Sequence, residues 1–90
     1  MKLEDLRREI DRIDDEIAAL LERRMNLAME VARVKIAGGA QVHQPAREAE
    51  VLARLCAAKP GMKQALKTIY GAVFQASLAQ QHCLFEQAEE

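Results

Sequence analysis

From Leu3 to Val34 the chain places an apolar residue at alternating steps of three and four: Leu3, Leu6, Ile10, Ile13, Ile17, Leu20, Leu27, Val31 and Val34. That spacing is the seam a single long helix presents to partner helices. Neither glycine nor proline interrupts the stretch, and Gly38-Gly39 supplies the stop, so a helix is expected over about residues 3–37. Roughly 35 helical residues span about 50 Å. A compact chain of ninety residues has a radius of gyration of only about 12 Å. A helix this long overhangs any core its own chain can build, yet its seam is apolar almost throughout. The expected fold is therefore all-α, with a second copy covering the seam in an intertwined helical homodimer.

The rest of the chain reads as two further helices in the same single domain, residues 1–90. A loop from Gly38 to Gln44 leads to Pro45, which suits the first turn of a helix, and Glu48 adds the negative charge favoured there. Val51, Leu52 and Leu55 give that helix, about residues 45–58, an apolar face, and Pro60-Gly61 ends it. A third helix is expected over about residues 61–86, with Met62, Leu66, Ile69, Val73 and Leu84 as its buried stripe and a frayed, solvated tail behind it.

Composition narrows the function. Half the residues are apolar but only three are aromatic, Tyr70, Phe74 and Phe85, so the core must be aliphatic. The formal charge is −1 with both signs interspersed, unlike the basic stripe of a nucleic-acid binder. Cys56 and Cys83 lack metal-site spacing and read as two reduced thiols. Glu4 and Asp5 stand where a signal peptide would be cationic and then apolar, and no run reaches membrane-spanning length. A soluble, cytoplasmic protein without metal or membrane partner is expected.

A few polar residues sit on the apolar stripes. The one break in the long seam is Arg24, and Lys35, eleven residues on, returns to within about 20° of the same direction. Between them lies Ala28, small enough to leave room against the helix. Two inward cations require anionic company, which a bound polyanion would supply. Alternatively, Arg24 pairs with a core glutamate and Lys35 snorkels at the helix end. In the third helix Val73, Ser77, Gln81 and Leu84 share a stripe, so a hydroxyl and an amide one turn apart face inward. They either offer neutral donors to a ligand or bond to backbone and water. Arg47 and Glu48 open the second helix, as site residues or as ordinary surface charge. No nucleophile–base set, phosphate-cradling loop or metal cluster is legible. The remaining chemistry is a pocket that holds a small polyanion and stabilises charge developing on it.

These residues resemble the all-helical class of chorismate mutases, found alone or fused to prephenate dehydratase and related enzymes. The stretch Leu6-Arg7-Arg8-Glu9-Ile10-Asp11-Arg12-Ile13-Asp14 is similar to the family's opening LRxxIDxID. Leu20-Leu21-Glu22-Arg23-Arg24-Met25 with Leu27-Ala28 resembles LLxxRMxLA, which Val31 and Lys35 continue as VxxxK. VHQPAREAEVL, from Val42 to Leu52, looks like VxDPxREXXVL, and Ser77 and Gln81 match the closing SxxxQ.

The resemblance implies an isomerase of phenylalanine and tyrosine biosynthesis that converts chorismate to prephenate by a concerted Claisen rearrangement, without cofactor. It gives Arg7 the role of reaching into the other subunit's site and Arg24 that of holding a substrate carboxylate in its own. Lys35 resembles the lysine shared between a carboxylate and the breaking ether oxygen. Glu48 is similar to the residue that accepts the substrate hydroxyl, helped by the backbone at Gln44, with Arg47 as the supporting arginine. Ser77 would sit near the ring carboxylate, and Gln81 would donate to the ether oxygen. Gln44 stands where many members have aspartate, and the link from Lys59 to Gly61 is short. A lyase of the same fold acting on isochorismate, and a non-catalytic helical dimerisation or regulatory module, remain the alternatives.

Overall fold

The structure is a computed structural model that describes residues 1–40 and 43–89, without the side chains of Phe85, Gln87, Ala88 and Glu89. Gln41 and Val42, part of the expected loop and of the third family-like motif, lie outside the described residues, as does Glu90.

Helix α1 runs from Leu3 to Ala37. At its start the Lys2 backbone N–H donates to Asp5 Oδ2 at 3.2 Å, and Glu4 and Asp5 place negative charge against the helix N-terminus. Its end is fixed by glycine chemistry. The Ala40 N–H reaches back to the Lys35 carbonyl at 2.8 Å and the Gly39 N–H to the Ile36 carbonyl at 3.1 Å. Gly39 has φ +76°, the left-handed turn that this pair of bonds requires. Lys35 therefore sits in the last turn, its own carbonyl tied down by the cap.

Helix α2 covers Pro45–Ala58. Proline at its first position loses no intrahelical bond, and the Gln44 carbonyl accepts the N–H groups of Arg47 and Glu48 at 3.1 and 3.2 Å. A single 3₁₀ turn, Pro60–Met62, leads into α3, Lys63–Glu89. The third helix thus begins with a tighter turn than expected and runs past residue 86. Residues 86–89 were expected to fray but are helical. Glutamine, alanine and glutamate are good helix formers, and neither glycine nor proline intervenes to stop the helix.

Helix α1 packs along α3, and α2 packs on α3 as well, but the backbones of α1 and α2 stay apart. α3 is therefore a floor, with a gap above it between the other two. Among the described residues only Ala32, Val51 and Ser77 are buried. The α1 seam is open to solvent along its length, with Ile10 55%, Leu20 58% and Val34 72% exposed. The expected burial of Met62 and Ile69 is not met, because they are 47% and 53% exposed. Ile69 lies instead in an apolar groove of about 550 Å³ that Leu21, Met25, Val73 and Ala76 share on the far side of α1 and α3. The molecule is 55 Å long with a radius of gyration of 16.4 Å. Its accessible surface is 7131 Å², against about 5300 Å² for a compact chain of this mass. No described helix is long and apolar enough to cross a membrane.

The cap at Gly39 is testable on its own. No atom lies within 4 Å of a Cβ added there, so the cost of Gly39→Ala is conformational, about 1 kcal/mol of stability in urea unfolding. Gly38→Ala, at φ −86°, should stay within about 0.5 kcal/mol of the parent.

Candidate active site

The gap between α1 and α2 is a cavity of about 310 Å³ floored by α3. Helix α1 contributes Arg24, Ala28, Val31 and Lys35, successive positions of one stripe. The start of α2 contributes His43, Gln44, Arg47, Glu48 and Val51, and α3 contributes Phe74, Ser77, Leu78 and Gln81. Every site residue expected from the sequence lies here except Arg7. Arg7 precedes Arg24 by seventeen residues on one helix, about 25 Å along the axis, and does not reach the cavity of its own chain.

The helix geometry explains the convergence. Ala28 is half-buried, and its small side chain leaves the space that Arg24 and Lys35 flank. Capping of α1 at Gly39 lets the chain turn back so that the first turn of α2 faces the end of α1. Val51 packs at the base of the cavity, 6% exposed, and fixes the height of α2 above α3.

Arg24 is half-buried, with no carboxylate partner among the described residues. Its guanidinium carbon lies 5.8 Å from the Tyr70 ring centroid and 5.6 Å from that of Phe74. The two rings meet edge to face, 5.7 Å apart at 66°. Among the described residues, the core glutamate considered from the sequence does not pair with it. Lys35 likewise has no carboxylate oxygen within ion-pair distance among the described residues. Arg47, by contrast, donates to Glu50 Oε1 at 2.7 Å on the outer face of α2, the ordinary surface pairing. Glu48 is approached by His43, Nε2 to Oε2 3.5 Å. The unneutralised cations of the cavity are thus those of α1.

The neutral donors come from α3. Gln81 Nε2 donates to the Ala28 carbonyl at 2.9 Å, so the amide is anchored on the backbone of α1. A primary amide carries two N–H donors, and anchoring one fixes the direction of the other. The Ser77 side chain is buried, 7% exposed, and lines the same space. The backbone alternative for Gln81 and the ligand alternative are therefore compatible: one proton serves each.

Sequence reading missed three contributors. Tyr70 and Phe74 were counted only as scarce aromatics, although their spacing of four places both on the helix face that carries Ser77 and Gln81. His43 gave no signal beyond its place two residues before Pro45. Among the described residues no group of three or more His, Cys, Asp or Glu side chains could hold a metal ion.

The cavity can hold a small, apolar-bodied polyanion, with two cations on one wall and a hydroxyl and an anchored amide on the floor. The family described as chorismate mutase type II matches residues 6–82, a span that includes every cavity residue and Arg7. A bifunctional chorismate mutase/prephenate dehydratase of Aquifex aeolicus (strain VF5) is 37% identical over 73 residues, covering 81% of this chain and 18% of that protein. The chain thus spans less than a fifth of the length of that relative. No solved structure matches it. The match over residues 6–82, nearly the whole of a three-helix chain, shows that the chain belongs to the type II chorismate mutases.

Proposed function

We propose that the chain rearranges chorismate to prephenate, in the biosynthesis of phenylalanine and tyrosine, as a cytoplasmic homodimer. The observation that carries this reading is the cavity itself: two cations without carboxylate partners among the described residues, Arg24 and Lys35, facing the Ser77 hydroxyl and the anchored Gln81 amide. Chorismate is a flexible dianion. Its rearrangement breaks a C–O bond and forms a C–C bond in one step, so no acid, base or nucleophile is consumed. The site must hold the compact conformer in which the reacting carbons meet, a positioning effect that removes several kcal/mol of barrier.

In this reading Arg24 takes one carboxylate. Lys35 bridges a carboxylate and the ether oxygen, and the second N–H of Gln81 points at that oxygen. Ser77 lies by the ring carboxylate, and Glu48 accepts the substrate hydroxyl beside the Gln44 backbone, with Arg47 in support. Preorganised donors aimed at developing charge contribute about 3 kcal/mol each. Arg7 completes the pocket of a partner chain. The surface in excess of a compact fold, roughly 1800 Å² per chain, is within the range that obligate homodimers bury.

The direct test is loss of chorismate absorbance on adding purified protein, beside a parallel assay of salicylate formation from isochorismate. Turnover of chorismate supports the mutase reading. Turnover of isochorismate alone assigns the lyase, and turnover of neither leaves a non-catalytic helical module.

Three variants test the roles. Lys35→Ala should lower kcat by at least about 100-fold, since Lys35 faces charge present mainly in the transition state; steady-state kinetics showing only a raised KM would contradict this. Gln81→Glu should give activity that rises as the pH falls from about 8 to about 5. An ionised carboxylate repels both the ether oxygen and the Ala28 carbonyl, and only the protonated form donates. Having one proton where the amide has two, even that form should stay below the parent, as a pH–rate profile will show.

Arg7→Ala and Lys35→Ala should each be nearly inactive as pure homodimers. In a mixed dimer one pocket combines the intact Lys35 of one chain with the intact Arg7 of the other. Refolding an equimolar mixture should make about half the dimers mixed and restore roughly one quarter of the parent activity. Blending without subunit exchange should restore none. Mixed dimers as inactive as either parent would place the action of Arg7 elsewhere.

A further inference from the structure

We infer that Tyr70 and Phe74 are positioning residues that hold the Arg24 guanidinium in its binding orientation without neutralising it; this rests on the assignment of Arg24 to a substrate carboxylate. An arginine that must bind a carboxylate faces a conflict. Left alone, its long side chain samples many rotamers and orders only on binding. Held by an aspartate or glutamate, it is ordered but already satisfied, and the ligand must displace the holder. Aromatic faces avoid the conflict. They attract the cation through the ring quadrupole and offer no hydrogen-bond acceptor, so the in-plane N–H donors stay free for a carboxylate.

The geometry matches that arrangement. The guanidinium carbon lies within 6 Å of both ring centroids, 5.8 Å for Tyr70 and 5.6 Å for Phe74. No described carboxylate pairs with Arg24. The rings meet edge to face at 5.7 Å, one helical turn apart on α3. In a chain with a single tyrosine and two phenylalanines, two of the three aromatics are spent on this one cation. The residues also separate the effects. Phe74 lines the cavity and doubles as a wall for substrate, whereas Tyr70 is outside the lining. Tyr70 therefore reaches the reaction only through Arg24 and Phe74.

The test uses the full chain with Tyr70→Leu, Tyr70→Phe, and the Tyr70→Phe ring fully fluorinated, which keeps the shape and reverses the quadrupole. Tyr70→Phe should behave as the parent. Tyr70→Leu and the fluorinated ring should raise KM for chorismate about threefold to tenfold with kcat changed less than twofold. The melting temperature of the fluorinated variant should match that of Tyr70→Phe, which separates positioning from folding. The Nε–Hε resonance of Arg24 should be displaced by the ring currents in the parent and move toward its random-coil position in Tyr70→Leu. That resonance reports the cradle whether or not chorismate is turned over. An unmoved resonance overturns the cradle. A moved resonance with KM unchanged overturns the positioning role, and a parent without turnover refutes the functional reading instead.

Discussion

The apolar face of α1 is the constraint on which the rest depends. A helix of 35 residues with a seam from Leu3 to Val34 cannot be covered by 14 residues of α2 and 27 of α3, and the structure leaves it uncovered. Only Ala32, Val51 and Ser77 are buried among the described residues. At about 25 cal/mol per Å², so small a core does not offset the entropy of ordering the chain. In the proposed dimer, the second copy serves stability before it serves catalysis. It also explains why Arg7, about 25 Å from Arg24 along the same helix, can be part of a site its own chain does not let it reach.

Within one chain, the cavity owes its electrostatics to what holds each charged group. Arg47 and Glu48 are engaged with Glu50 and His43, as charges at a helix start commonly are. Among the described residues neither Arg24 nor Lys35 pairs with a carboxylate; Arg24 lies over two aromatic rings, and Lys35 stands in the capped last turn of α1. Gln81 is fixed by the Ala28 carbonyl. In the proposed reaction, a donor ordered before the ligand arrives need not reorganise as charge develops.

Much of this was legible in the sequence because helix periodicity and helix punctuation are local. The bounds of α1 and α2 follow from an uninterrupted seam, Gly38-Gly39, Pro45 and Pro60. Arg24, Lys35, Ser77 and Gln81 stood out because each puts a polar group on an apolar stripe, and all four line the cavity. What could not be read was the partner of each group. Whether Arg24 meets a glutamate or an aromatic face depends on how α1 and α3 are rotated against each other, which a period does not specify. The exposure of Met62 and Ile69 has a related origin: periodicity marks an apolar stripe but not whether the same chain covers it. The helical state of residues 86–89 was missed because a polar tail was equated with fraying, although its residues are good helix formers.

The most direct measurement follows chorismate turnover per chain as the protein is diluted, with sedimentation equilibrium over the same concentrations. A shared site predicts that specific activity and helical signal fall together, in step with the dissociation of dimer into monomer. A folded monomer that retains full activity per chain would contradict both the covering of α1 by a second copy and the completion of the pocket by Arg7 of the partner chain.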